Sequence, residues 1–156
     1  MKSFSVHYKF SQHFDFPPRA AYNWCTDYNP DDIQMGGQRG RRGIRWLNEG
    51  ALMLTDTYFK GKSRIVKKRL VKLYPEILTW TNTRISAEGR YSQFLYQIIR
   101  ERGGSRLLFT GNQIFAGKAS ASKRAAMARR LAREDAALWR NFAKAMARDL
   151  AGQESK

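Results

Sequence analysis

The chain has 156 residues, 42% apolar and 13% aromatic, which is enough for one domain with a real core and too apolar for a disordered polypeptide. Its 29 Lys and Arg outnumber 13 Asp and Glu, for a formal charge of +16; that suits either anionic partners (nucleic acid, an anionic membrane surface, acidic ligands) or simply a solvated surface. One cysteine, Cys25, leaves no internal disulfide, no apolar run approaches the ~18 residues of a membrane span, and "MKSFSVHYKF" lacks the apolar centre of a signal peptide, so a soluble cytoplasmic protein is expected.

The first segment alternates strictly. Phe4, Val6, Tyr8, Phe10, Phe14 and Phe16 share one face, broken only by Gln12, while His7, Lys9, His13 and Asp15 fall on the other. Period two predicts a long strand with one buried and one wet face. His7 and His13 are then surface residues, and no Cys or third His completes a metal set. Pro17-Pro18 stops the strand, and proline suits a first helical turn, so a short helix is predicted over about Pro18 to Thr26, with Asp15 helping to cap it. "NPDDIQM" predicts a second short helix, with Asn29 as N-cap, Pro30 first in the helix, and Asp31 and Asp32 in its positive first turn.

"GGQRGRRG", residues Gly36 to Gly43, reads as a glycine-rich basic loop whose arginines could meet an anion; it lacks the spacing of a phosphate-binding P-loop. Six strands follow in meander order: "IRWLN", "ALMLTDTYF", "SRIVKKRLVKL", "ILTWTNTRI", "YSQFLYQIIRE" and "SRLLFTGNQIF". Their turns are predicted at Glu49-Gly50, Lys60-Gly61-Lys62, Tyr74-Pro75-Glu76, Ala87-Glu88-Gly89 and Gly103-Gly104. Residues 119 to 151 contain no Gly or Pro and are rich in Ala, the signature of a long helix. Met127, Leu131, Leu138, Trp139, Phe142, Met146 and Leu150 form its apolar stripe, opposite Arg129, Arg130, Arg133, Arg140, Lys144 and Arg148. Residues 1–152 are read as one domain and 153–156 as a C-terminal tail.

This order of elements resembles the START-like superfamily, also called SRPBCC or helix-grip, which includes Bet v 1-type, polyketide cyclase/dehydrase-like and coenzyme Q-binding proteins. The resemblance rests on the strand-Pro-helix opening "FDFPPRAAYNWCTD", the "DD" and glycine loop before the second strand, the "GSRLLFTGNQIF" strand and the terminal amphipathic helix. It implies an α+β helix-grip fold: a curved antiparallel sheet of about seven strands, two short helices after the first strand, and the long C-terminal helix packed in the sheet. It also implies a hydrophobic small-molecule ligand, lipid- or quinone-like, held between sheet and helix.

Polar residues interrupting apolar faces are the candidate site. Gln12 breaks the first strand; Asp56 shares a face with Leu52, Leu54 and Tyr58; Asn82 with Leu78 and Trp80; Gln93 with Tyr91, Leu95 and Ile99; and Asp135 lies among Leu131, Leu138 and Phe142. A buried carboxylate must be paired, hydrogen-bonded or protonated, so Asp56 and Asp135 are candidates for a polar anchor or an acid/base, or for pairs with arginines such as Arg69 or Arg124. The expected ligand-binding set is Gln12, Asp56, Tyr58, Trp80, Asn82, Tyr91, Gln93, Leu131, Asp135, Leu138 and Phe142. No cofactor or metal motif is legible: G-x-S-x-G, H-E-x-x-H and a His–carboxylate iron set are all missing. Three functions remain open: binding of an apolar or amphipathic small molecule, a cyclase- or dehydratase-like enzyme using Asp56 or Asp135, and a basic interaction module for RNA, ribosome or anionic lipid.

Overall fold

The computed structural model describes residues 2–86 and 88–154, so Ala87 of the predicted turn and residues 155–156 of the predicted tail lie outside the described residues. The elements are β1 (Ser3–Phe14), α1 (Pro18–Thr26), α2 (Asp32–Met35), β2 (Gly40–Asn48), β3 (Ala51–Lys60) and β4 (Ser63–Tyr74), then, after a 3-10 turn at Pro75–Ile77, β5 (Thr79–Arg84), β6 (Gln93–Glu101), β7 (Gly104–Ala116) and α3 (Ala121–Glu154). All seven strands form one antiparallel sheet in the order β1-β7-β6-β5-β4-β3-β2. The six later strands are the expected meander, and β1 returns to close on β7, in register from Ser3↔Ala116 to Phe14↔Ser105. The curved sheet with α3 packed on it is the α+β helix-grip fold.

The core lies between the concave face of the sheet and α3. One part joins Phe14, Leu52, Leu54, Val71, Trp80, Ile98 and Leu107 of the sheet to Tyr22 of α1 and Trp139 and Met146 of α3. The other joins Phe4, Val6, Tyr8, Phe94 and Phe109 to Leu131. Leu52, Leu54 and Leu107 are fully buried, each contributing about 1.5–3 kcal/mol relative to exposure. The whole predicted stripe of α3 is at least partly buried, and the six basic residues opposite it are exposed. No helix among the described residues is long and apolar enough to cross a membrane.

Three local expectations are corrected. The basic glycine segment is a loop only up to Arg39; from Gly40 it is strand, because a Cβ at Gly40 would come 2.2 Å from the Thr57 carbonyl and only glycine allows β2 so close to β3. Asp15 does not cap α1, which has no side-chain cap; its carboxylate meets His13 Nε2 at 3.1 Å. Helix α2 starts at Asp32 rather than Pro30, and Asp32 instead accepts the Asn29 backbone N–H at 2.9 Å and Arg42 Nη1 at 3.0 Å. Asp32 nonetheless stands in the first turn of α2, as expected, where it reaches back to the Asn29 N–H in the manner of a capping box and also tethers Arg42.

A candidate ligand cavity between sheet and helix

A cavity of about 660 Å³ lies between the concave face of the sheet, α1, α2 and α3. One wall is aromatic. Trp80 of β5 stacks on Tyr96 of β6 with ring centroids 4.9 Å apart and planes 2° apart, because the two are register partners on neighbouring strands. Trp139 of α3 sits 5.7 Å from Tyr96 and 5.1 Å from Phe142, and Trp24 of α1 completes the wall, 6.3 Å from Phe142. Trp24 Nε1 donates to Asp149 at 2.8 Å, which ties α1 to the far end of α3. Cys25 lines the same space, and burial pushes its thiol well above the usual range, so it behaves as a small apolar group.

The same elements also bring polar groups into the lining. On α3, Asp135 faces the cavity with Leu131, Leu138 and Phe142, as the helical phase predicts. Its Oδ2 accepts the Tyr8 hydroxyl at 2.6 Å. Burial raises the Asp135 pKa above the ordinary carboxylate value, although the Tyr8 hydrogen bond and the charge of Arg69 act against it. Burial, followed by the charge of Asp135, also holds the Tyr8 hydroxyl protonated far above its usual range. Tyr8 reaches this position because its partner on β7 is Gly111: a Cβ there would stand 2.8 Å from the Tyr8 ring.

Asp56 has a different fate. It is fully buried, accepts Arg42 Nε at 2.7 Å and Nη2 at 2.9 Å in a bidentate pair, and accepts Arg69 Nη1 at 3.3 Å. That makes it a structural anion sitting behind the cavity lining and already held by two guanidinium groups. Arg69 is thus one of the partners expected for a buried acid. Arg124 is not: its guanidinium lies over the Phe4 ring, and its Nε donates to the Ala119 carbonyl.

Of the other expected site residues, Tyr58, Trp80 and Asn82 line the cavity. Gln12 shares the concave face through its pairing with Leu107, but its amide donates to the His13 carbonyl and stays off the cavity. Tyr91 and Gln93 stand on the wrong side. Tyr91 is a turn residue, 67% exposed with φ 71°, and β6 turns Phe94, Tyr96 and Ile98 inward, leaving Gln93 outside. Gln93 does share a face with Leu95 and Ile99, as expected, but it is the outer one: both faces of β6 are apolar, so alternation alone does not say which turns inward.

Sequence reasoning named Arg69 as a partner for a buried acid but missed the cations as part of the cavity lining. Arg42, Lys67, Arg69 and Arg84 all line the cavity. Strand parity is the signal that could have found them: Arg69 shares a face with Val71 and Leu73, and Arg84 shares one with Trp80 and Asn82. Lys67 Nζ lies 5.2 Å from the centre of the Tyr58 ring, and its pKa is lowered from 10.5 to about 8 by burial and then by the nearby Arg84 and Arg69.

Solved structures share this architecture. Ara h 8.0201 superposes with a TM-score of 0.71 at 10% identity, over 92% of this chain and 98% of its own. The Zhui aromatase/cyclase from Streptomyces sp. R1128 superposes with a TM-score of 0.68 at 8% identity, over 96% of each chain. The di-domain ARO/CYC StfQ from the steffimycin biosynthetic pathway gives 0.75 at 13% identity, over 95% of this chain and 52% of its own, so this chain spans about half of that protein. At these identities the likeness is one of fold: the helix-grip scaffold of Bet v 1-like and polyketide cyclase-type proteins. No protein-family model matches the sequence, and no curated protein matches it.

Proposed function

We propose that the protein binds an apolar or amphipathic small molecule in the cavity between the sheet and α3. The observation that carries this reading is the space itself: about 660 Å³, walled on one side by Trp24, Trp80, Tyr96, Trp139 and Phe142. Cavities of roughly 300–1,000 Å³ with apolar and aromatic walls and a few convergent polar groups are the usual form of a small-molecule site. Asn82 supplies one such group, since among the described residues its buried Oδ1 has no hydrogen-bond partner. The test is native mass spectrometry of the purified protein, together with fluorescence titration of N-phenyl-1-naphthylamine. A co-purified molecule, or saturable probe binding that Trp139→Ala weakens, supports the reading. No retained mass and no probe binding defeats it.

A second reading, a cyclase- or dehydratase-like reaction, is favoured by one feature: the Asp135–Tyr8 pair at 2.6 Å inside the cavity. A carboxyl with a raised pKa can donate its proton to the departing hydroxyl of a β-hydroxy ketone, which leaves as water. The carboxylate so formed then takes the α-proton, and an enone remains. Absorbance of the enone, formed by the wild type and not by Asp135→Asn, would establish this chemistry. Turnover by neither protein would leave binding alone.

A further inference from the structure

Cations inside a cavity are costly, and here they are placed against one another. Arg69 of β4 is the direct register partner of Arg84 of β5, and both side chains turn to the concave face. Like charges directly opposite on neighbouring strands destabilise a sheet. Lys67 lies two residues before Arg69 on the same face, with the Tyr58 ring beneath its ammonium group. Among the described residues, the buried Nε of Arg69 and the buried Nε of Arg84 have no hydrogen-bond acceptor. Gly89, at φ 79°, leaves room for the Arg84 guanidinium: a Cβ there would stand 2.5 Å from Nη1, so the turn after β5 is shaped around this arginine.

The carboxylates nearby do not meet this demand. Asp56 is shared between Arg42 and Arg69, Asp32 is held by Arg42 and the Asn29 N–H, Asp135 is engaged by Tyr8, Glu134 of the lining pairs with Arg130, and Glu88 favours the charge of Arg84 without forming an ion pair with it. Lys67 and Arg84 have no ion-pair partner among the described residues. Unpaired buried cations with free donors, set in a cavity walled by aromatics, are a recognition site for an anion carried on an apolar body.

We infer that the ligand of this cavity is an amphipathic acid whose carboxylate, or a comparable oxyanion, lies against Lys67, Arg69 and Arg84 while its apolar part lies against the Trp80–Tyr96–Trp139 wall. The inference rests on the proposed binding function and narrows its ligand class. Arg69 and Arg84 supply the unpartnered Nε–H donors, and Lys67 supplies a point charge on the same wall.

The test uses two probes of one shape, 1-naphthoate and 1-naphthalenemethanol, titrated into the purified protein by calorimetry at physiological salt. The expected result is that the carboxylate binds at least about tenfold tighter, the order expected of a buried charge-assisted contact. Arg84→Gln should bring the two probes to within about threefold by weakening the carboxylate alone, the effect expected once that charge-assisted contact is removed. The same substitution should raise the melting temperature of the unliganded protein, because it removes one of two opposed charges; a purely structural arginine would lower it. Lys67→Gln serves as the second variant and should reduce the preference in the same direction. Equal binding of both probes overturns the inference and leaves the cavity reading standing. A carboxylate preference undiminished in both variants also overturns it, because the overall positive charge then accounts for the attraction. Binding of neither probe overturns the cavity reading and the inference with it.

Discussion

Replacing Asp56 with Asn tests the most heavily committed group in the molecule. The carboxylate is fully buried and accepts from Arg42 Nε at 2.7 Å, Arg42 Nη2 at 2.9 Å and Arg69 Nη1 at 3.3 Å. The amide has nearly the same shape, but it carries no charge and aims an N–H at a guanidinium. Arg42 keeps Asp32 at 3.0 Å, whereas Arg69 loses its one carboxylate partner among the described residues and still faces Arg84. Breaking one side of a buried ion pair costs about 3–5 kcal/mol, mostly through the charge left behind. For a chain of this length each kcal/mol moves the melting temperature by roughly 2–4 °C, so the melt should fall by on the order of 10 °C. Thermal unfolding followed by far-ultraviolet circular dichroism measures it, with and without 1 M salt. The loss should persist at high salt, since mobile ions do not screen a fully buried pair. Replacing both partners, Asp56→Leu with Arg42→Met, should recover much of it. An Asp56→Asn melt within about 1 kcal/mol of wild type would refute the account, because only exposed pairs are worth so little.

The other predictions concern titration and charge. The folded pKa of Asp135 is raised above 3.8 by burial, so the native state holds this proton more tightly than the unfolded chain, and stability falls as pH rises from about 3.8 through the raised value. Asp135→Asn lacks this loss: its melting temperature should gain on wild type between acid and neutral pH, and a flat difference would contradict the burial. Lys67 titrates near 8 when folded and near 10.5 when unfolded, so stability should rise with pH across that window as the unfolded chain holds the extra proton; chemical denaturation should show that this rise is smaller in Lys67→Met. A mere solvated lysine would leave the two profiles parallel. RNA binding, if driven by the +16 charge, should be blind to sequence and fall steeply with salt; no binding of a labelled RNA at low salt removes that partner.

The elements were legible because each obeys one period. In β1 the alternation from Phe4 to Phe14 is broken only at Gln12, and α1 starts and ends where the Pro-Pro signal and the run to Thr26 place it. The phase of β6 was not legible, because both of its faces are apolar: Phe94, Tyr96 and Ile98 on one, Leu95 and Ile99 on the other. Pairing with β5 decides between them, because Tyr96 stands opposite the buried Trp80, and pattern alone does not reveal that partner. Asp135 was placed correctly because the stripe of α3 has a single reading. The cations of the cavity were hidden by the usual preference of Lys and Arg for water, which outweighed their parity with Val71 and Trp80. Pairing across the sheet, which sets Arg69 against Arg84 and Arg42 against Asp56, is a long-range fact that no local window contains.

The closure of β1 on β7 sets the order in which the molecule can assemble. The β3–β4 hairpin joins Lys60 to Ser63, whereas the nearest β1–β7 pair, Phe14 with Ser105, spans most of the chain. Loop-closure entropy makes that contact about 2–3 kcal/mol more expensive to initiate. The meander hairpins are therefore expected to form early, and β1 and α3, which bring Tyr8 to Asp135, to dock late. A molecule lodged between sheet and helix has nothing to hold in the folding transition state. If the protein binds such a molecule as proposed, the molecule should slow unfolding and leave the folding rate unchanged, a kinetic latch on a chain that has already folded.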